Sequence, residues 1–207
     1  MKRIIFVLLL ICSLFLTAQS ADQKKIHEDA SSFVALMKNK DYEGIMELAH
    51  PAIFEKADKQ TLINIFKSVL EGNGDYKMEV ADVSADAFKV SDIFNTKENG
   101  KYAFVMYPFK MRMSFLKEKF DDEKKKMMTN MMEVQGMKSK FIDDSTVEIS
   151  KESMIIAVKD KTTHNLWKYI NYDNNNALFA SIVPVEIMKA AKEYYGDFLI
   201  KQKENAN

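Results

Sequence analysis

Methionine is the residue type that most invites a chemical reading in this chain. Fourteen are present, and Met106, Met111, Met113, Met127, Met128, Met131, Met132 and Met137 crowd into one stretch. Soft thioethers at Met-x-Met or i, i+4 spacing suit Cu(I). No His or Cys lies nearby in sequence to complete such a site. The same residues fit plain apolar faces, Met111 and Met113 on a strand, and Phe120, Met127, Met131 and Val134 as a helical stripe. Met-based Cu(I) binding is therefore the third reading of function, behind a binding module and a small-molecule enzyme.

The acid–base inventory is thin. Asp92, His164, Tyr107, Tyr169 and Trp167 fall on predicted strands, where a partly desolvated base and a buried donor could serve proton transfer. His164 shares strand parity with Leu166 and Ile170, while Trp167 and Tyr169 share the opposite face as core or cavity wall. His50 stands before Pro51 and reads as a helix-ending residue. No Gly-rich phosphate loop, H-E-x-x-H, G-x-S-x-G or calcium-loop spacing occurs. No cofactor or metal is expected.

Composition narrows the classes further. The chain has 207 residues, is 47% hydrophobic, and balances 30 Lys+Arg against 30 Asp+Glu. That is a globular mixture without a basic field or a basic–aromatic stripe, so nucleic acid is not an expected partner. Met1-Lys2-Arg3 followed by the apolar run Ile4 to Leu16 is shorter than the ~20 residues that cross a bilayer. It reads as a signal peptide over residues 1–20, with Ala18 and Ser20 as the small residues before a cut at Ala21. The chain is then bacterial, secreted or periplasmic, with no stable membrane anchor after cleavage. The sole cysteine, Cys12, lies in that segment behind Leu10-Ile11 rather than a small residue, which disfavours lipidation. The chain from Ala21 onward lacks cysteine, hence disulfides and thiolate nucleophiles.

The elements that would position these residues follow from periodicity. Ile26, Ala30, Phe33, Val34 and Met37 make one stripe on a helix over 22–39. Asp41 caps a second helix with Tyr42, Ile45, Met46 and Ala49. A third, over 58–70, carries Leu62, Ile63, Phe66, Val69 and Leu70 and ends at the Gly72-Asn73-Gly74 turn. The period then changes to 2. Strands are expected at Tyr76–Val83, Phe88–Phe94, Lys101–Phe115, Thr146–Ser150, Ser153–Lys159 and His164–Tyr172. Of these, 146–150 and 153–159 form a hairpin. Along 101–115, Ala103, Val105, Tyr107, Phe109, Met111, Met113 and Phe115 form one apolar face. The other face changes from apolar to polar around Pro108, where an edge, bulge or bend is expected. A Met-rich helix over 121–135 interrupts the strands. Asp173-Asn174-Asn175-Asn176 is a turn, and Pro184 starts a final helix whose last residues, 202–207, fray. No linker or repeat divides residues 21–207, so one α+β domain is expected. Its N-terminal helices pack on one side of a strongly curved antiparallel, cone-like sheet, with the Met-rich helix inserted and a C-terminal helix added.

Several local phrases carry a resemblance: Lys40-Asp41-Tyr42-Glu43-Gly44 with His50-Pro51, Ile155-Ile156-Ala157-Val158-Lys159-Asp160, Leu166-Trp167-Lys168-Tyr169-Ile170, and Ile182-Val183-Pro184. Together with the element order, they resemble secreted bacterial proteins of the nuclear transport factor 2-like (cystatin-like, cone-fold) superfamily. The resemblance implies a bent sheet wrapped around a long helix, leaving a cavity open at one end. Enzymes on that fold, the ketosteroid isomerase and scytalone dehydratase types, use an Asp/His base and Tyr or acid donors in an apolar cone. No motif of theirs maps onto this chain.

The reading that follows is an exported, non-catalytic module whose concave face takes a small apolar ligand or a protein partner, lined by Tyr107, Phe109, Met111, Trp167 and Tyr169. The alternative is an isomerase, dehydratase or hydrolase using the same cavity. The Met-rich helix could pack on the sheet, lid the cavity, or meet a second copy in a homodimer.

Overall fold

A computed structural model describes residues 20–72, 74–173 and 177–205. Residues 1–19, which hold Cys12 and all of the expected signal peptide but Ser20, lie outside the described residues, as do Asn73, the expected turn at Asn174-Asn175-Asn176 and residues 206–207. Helix α1 (Ala21–Asn39) starts from a capping box: the Ser20 hydroxyl accepts from the Gln23 N–H, and the Gln23 side chain accepts from the Ser20 N–H. Helix α2 (Tyr42–Leu48) is capped by Asp41, and α3 (Lys59–Glu71) by Asp58. Between them His50 caps the start of a short 3₁₀ turn at Pro51–Ile53, its Nδ1 accepting from the Ala52 N–H at 3.2 Å; α2 itself ends at Leu48 with Ala49 as its C-cap, so His50 begins a turn rather than ending the helix.

The strands are β1 (Tyr76–Val80), β2 (Lys89–Val90), β3 (Phe94–Asn95), β4 (Lys101–Phe115), β5 (Lys138–Phe141), β6 (Thr146–Lys159) and β7 (Lys168–Asn171). They form one antiparallel, open, seven-stranded sheet on which the N-terminal helices pack. β4 and β6 run side by side from Lys101↔Lys159 to Ser114↔Thr146 and form its spine. β1, β2 and β3 share the outer edge of β4, and β5 and β7 share that of β6. Helix α4 (Asp122–Val134) is inserted between β4 and β5, and α5 (Ala177–Ile182) and α6 (Val185–Asn205) follow β7.

The odd residues Ala103, Val105 and Tyr107 of β4 join Ile26, Val34, Ile45, Ile63, Ile155, Trp167 and Tyr169 in the core under α1–α3. The even residues Phe104 and Met106 join Met154, Ile156, Ile170, Phe179, Val183, Ile187 and Ala191 in a second core. Each Val, Ile, Met or Phe among them stabilises by roughly 1.5–3 kcal/mol on burial. The β4 burial pattern, two-sided at 103–107 and then alternating, follows from helices covering both faces at one end. Helices therefore lie on both sides of the sheet, not on one: α6 buries Ile187 and Ala191 against the face opposite α1. That helix continues to Asn205, beyond the expected start of fraying. α5 is an addition that periodicity did not indicate, and Pro184 precedes α6, its carbonyl accepting from the Met188 N–H.

Pro108 sits where its missing donor costs nothing. The carbonyls of Phe104 and Lys110 accept from Ser91 and Ala81 on the outer edge of β4. By strand parity the Pro108 nitrogen faces that same edge. It falls between Met106, which pairs with Lys89 of β2, and Met111, which pairs with Val80 of β1. A local edge is thus present inside a central strand.

The expected strands are corrected at three places. Residues 146–159 form one strand rather than a hairpin. Lys151 and Glu152 stay in register with Phe109 and Pro108, and no left-handed residue lies between Ser150 and Ser153 to reverse the chain. The strand expected over 88–94 breaks into β2 and β3. The Ser91 hydroxyl accepts from the Phe104 N–H at 2.9 Å, taking a backbone carbonyl's place and pushing exposed Asp92 off the ladder. The strand expected from His164 begins only at Lys168. His164 and Asn165 both have positive φ, in a turn held by Asp160, whose carboxylate accepts from Thr162 and Thr163. Asp92, His164 and Trp167 therefore do not lie on strands, and His164 is exposed.

Candidate functional site

A cavity of about 110 Å³ lies between the N-terminal helices and the sheet. Its walls are Phe33 of α1, Ile45 and Met46 of α2, Leu62 and Phe66 of α3, and Ile155 and Tyr169 of the sheet; Leu48, Ala49, Ile53 and Asn171 complete it. The chain after α2 is stitched to β7 beside it. Ala49 makes a parallel bridge to Tyr169, and the His50 N–H donates to the Tyr169 carbonyl at 3.0 Å. Lys168 on β7 donates to the Glu47 carbonyl, a second tie between the same segments.

The lining is apolar except for Tyr169 and Asn171. The Tyr169 hydroxyl is already committed, donating to Asp29 Oδ2 at 2.7 Å. Asp29 is buried, and its other oxygen accepts from Lys25 Nζ at 2.6 Å. Burial first, then the Asp29 carboxylate, raises the Tyr169 phenol far above its ordinary value, so it stays protonated at neutral pH. No carboxylate or imidazole lines the cavity, so no side chain there offers a proton-transferring base. His50 is buried nearby in sequence, and desolvation depresses its pKa, with Asp160 and Glu55 opposing. Its Nδ1 is used as a backbone cap.

Of the five residues expected to line a ligand site, Tyr169 alone lines this cavity. Tyr107 is buried, stacked on Phe88 at 5.2 Å and paired across the strands with Ser153, and desolvation raises its pKa. Phe109 packs edge-on to Tyr107 at 6.5 Å at the margin of the first core. Met111 stands in the outer half of β4, between Val80 and Ile149. Trp167 is buried, and its Nε1–H donates to Asp22 Oδ1 at 3.0 Å. That bond, with Lys159 and Lys101 beside the same carboxylate at 3.2 and 3.4 Å, holds the Asp22 pKa down against desolvation and pins the start of α1 to the sheet. It is a structural anchor of the first helix.

Sequence reasoning named Phe33, Ile45, Met46, Ala49, Leu62 and Phe66 as stripe residues without recognising that their stripes fail to meet. It also missed Asp29. A signal was present: Ile26, Asp29, Ala30 and Phe33 follow i, i+3, i+4, i+7, so one acid stands inside the apolar stripe of α1.

The methionines disperse. Met106 is buried in the second core, Met111 and Met113 face β1 and β6, and Met127 and Met131 are exposed on α4. The expected stripe Phe120, Met127, Met131, Val134 does not pack as one. Phe120 is buried against Phe115 and Phe141, but Met127 is 60%, Met131 58% and Val134 89% exposed. Helix α4 instead turns Lys125, Met128, Thr129 and Met132 inward. Its entry is fixed by the Asp121 cap and by Lys125, which pairs with Asp144 at 2.6 Å. No group of three or more His, Cys, Asp or Glu that could hold a metal occurs among the described residues, and no helix among them is long and apolar enough to cross a membrane. Against models of known protein families the chain has no match, and a comparison with curated proteins finds none either.

Proposed function

We propose that this protein is an exported, non-catalytic binding module that admits a small apolar group between α1–α3 and the sheet. The observation that carries the reading is the composition of the cavity wall. It is almost wholly apolar, and its one ionisable side chain is already bonded to Asp29. A volume of about 110 Å³ is below the ~150 Å³ of an engineered apolar cavity that takes benzene. It is also well below the ~300 Å³ at which drug-sized pockets begin. The occupant is therefore a short alkyl group, or the apolar end of an amphiphile whose polar end stays near Asn171. Export rests on the basic–apolar–small pattern of residues 1–20 and on the confinement of cysteine to it. The order of helices followed by an antiparallel sheet around a hollow supports the resemblance to nuclear transport factor 2-like proteins. The catalytic alternative would need a base among the lining residues, which they do not supply.

The test is a methyl-NMR titration of the chain from Ser20 onward with linear alcohols from butanol to octanol, paired with native mass spectrometry. Saturable shifts at Ile45, Met46 and Ile155 are expected, and Leu62→Trp, which fills the cavity, should abolish them. Absence of saturable shifts, or identical shifts in the Leu62→Trp chain, would overturn the reading.

A further inference from the structure

The segment that joins α2 to α3 is at once a wall of the cavity and the seat of a buried imidazole. Ala49 and Ile53 line the cavity, and His50 stands between them in the chain, buried. Two sets of bonds hold this segment. The His50 N–H donates to the Tyr169 carbonyl of β7 at 3.0 Å, beside the Ala49–Tyr169 bridge, and ties the segment to the sheet. The ring Nδ1 accepts from the Ala52 N–H at 3.2 Å, and the Ile53 N–H donates to the His50 carbonyl at 3.0 Å. These last two close the 3₁₀ turn Pro51–Ile53 and keep Ile53 in the wall.

An acceptor at Nδ1 requires the neutral ring with its proton on Nε2. A further proton goes to Nδ1, and two donors then face each other where one bond was. Burial opposes the charged ring, while Asp160, in the turn after β6, and Glu55, just beyond the 3₁₀ turn, favour it. Helix α5, which packs on the turn, has no titratable side chain, and Lys168 of β7 is bonded to the Glu47 carbonyl. An imidazolium at this position therefore loses its backbone partner and is penalised where it stands. It is drawn toward two carboxylates, of which Glu55 is exposed.

We propose that His50 is a proton-operated latch on the cavity: its protonation releases the Pro51–Ile53 turn, withdraws Ile53 from the wall and expels the apolar occupant. The expulsion rests on the binding function proposed above; the release of the turn does not. A ligand that needs the capped turn binds the neutral ring. Its affinity is full near pH 7.5 and falls as the imidazole protonates, by about tenfold per pH unit at most. The wall itself supplies no such dependence, since its one ionisable side chain, Tyr169, stays protonated throughout this range.

Two measurements on the chain from Ser20 onward test the latch. Without ligand, NMR follows the His50 ring nitrogens, the Ala52 amide and the Ile53 methyl groups from pH 7.5 to 5.0. The Ala52 and Ile53 signals are expected to shift with the midpoint of His50 Nδ1. They should stay put in His50→Asn, whose amide oxygen can accept from the Ala52 N–H, and move as in the native chain in His164→Asn. With 1-hexanol as the probe, Kd should rise at least ~5-fold from pH 7.5 to 5.0 in the native chain and less than ~2-fold in His50→Asn. A His50 that stays neutral down to pH 5.0, Ala52 and Ile53 signals that ignore its titration, or an equal rise in Kd in the His50→Asn chain would each overturn the latch. Should 1-hexanol bind at no pH while Ala52 and Ile53 still follow His50, the release of the turn stands and the apolar-ligand reading falls.

Discussion

Replacing Tyr169 by Phe isolates one interaction in the wall of the cavity. The ring is almost fully buried, so Phe keeps its packing and deletes only the hydroxyl. Asp29 Oδ2 then loses its donor at 2.7 Å. The remaining partner, Lys25, has a side chain 59% exposed, so solvent screens its charge. A hydrogen bond to a charged group contributes roughly 1.5–3 kcal/mol. A cost of about 2–3 kcal/mol is therefore expected, which lowers Tm by about 4–12 °C in a domain of this size. The pH dependence supplies a second readout. Tyr169 has its folded pKa raised, so the native chain holds the full stabilisation below the ordinary tyrosine value and loses it progressively above about pH 10. The phenyl ring of the variant cannot ionise. The stability gap between native and Tyr169→Phe chains should accordingly narrow as pH rises past 10. Urea unfolding followed by circular dichroism at pH 7, 9 and 10.5 measures both effects. A cost under about 0.5 kcal/mol at pH 7, or a gap that widens with pH, would refute the argument that this bond is buried and charge-assisted.

Three further outcomes are expected. The folded pKa of His50 is depressed by burial, so stability is complete above the ordinary histidine value and falls as pH drops below about 6.5. His50→Asn, which keeps an acceptor for the Ala52 N–H, should flatten that acid limb in denaturant titrations from pH 7 to 5. Gly72 ends α3 at φ 79°, ψ 170°, where a Cβ would stand 1.8 Å from the Tyr76 carbonyl oxygen. Gly72→Ala should therefore cost about 3 kcal/mol or more, read as a fall in the urea midpoint. A chain beginning at Ala21, as cleavage after Ser20 produces, lacks the hydroxyl that caps α1. It should be less stable than one beginning at Ser20 by about 1 kcal/mol in paired thermal melts.

Much of the architecture was legible in the chain because it depends on local period and local caps. The stripe on α1, the Asp41 cap, the glycine stop at Gly72, and the apolar types on both faces of one end of β4 are all read from near neighbours along the sequence. The alternation 103–115 specified a face for each side chain. It could not specify which helix would cover the even face, a choice made by α6 from some eighty residues away. Periodicity likewise marked Met127, Met131 and Val134 as one side of a helix. Which side meets the sheet was decided by the Asp121 cap, the Lys125–Asp144 pair and the anchoring of Phe120.

The same division governs the candidate site. The apolar types of its walls were readable one element at a time, but a cavity is a mismatch between elements. It exists because the stripes of α1, α2 and α3 converge on Ile155 and Tyr169 without filling the space between them. The sequence by itself determined an α+β chain with helical stripes, a long central strand and an apolar N-terminal segment, since these are properties of short windows. Tertiary structure alone decided that Tyr169 meets Asp29 across 140 residues, that Trp167 anchors Asp22, and that the methionines scatter. Those outcomes depend on the register and stacking of distant segments, which sequence spacing does not encode.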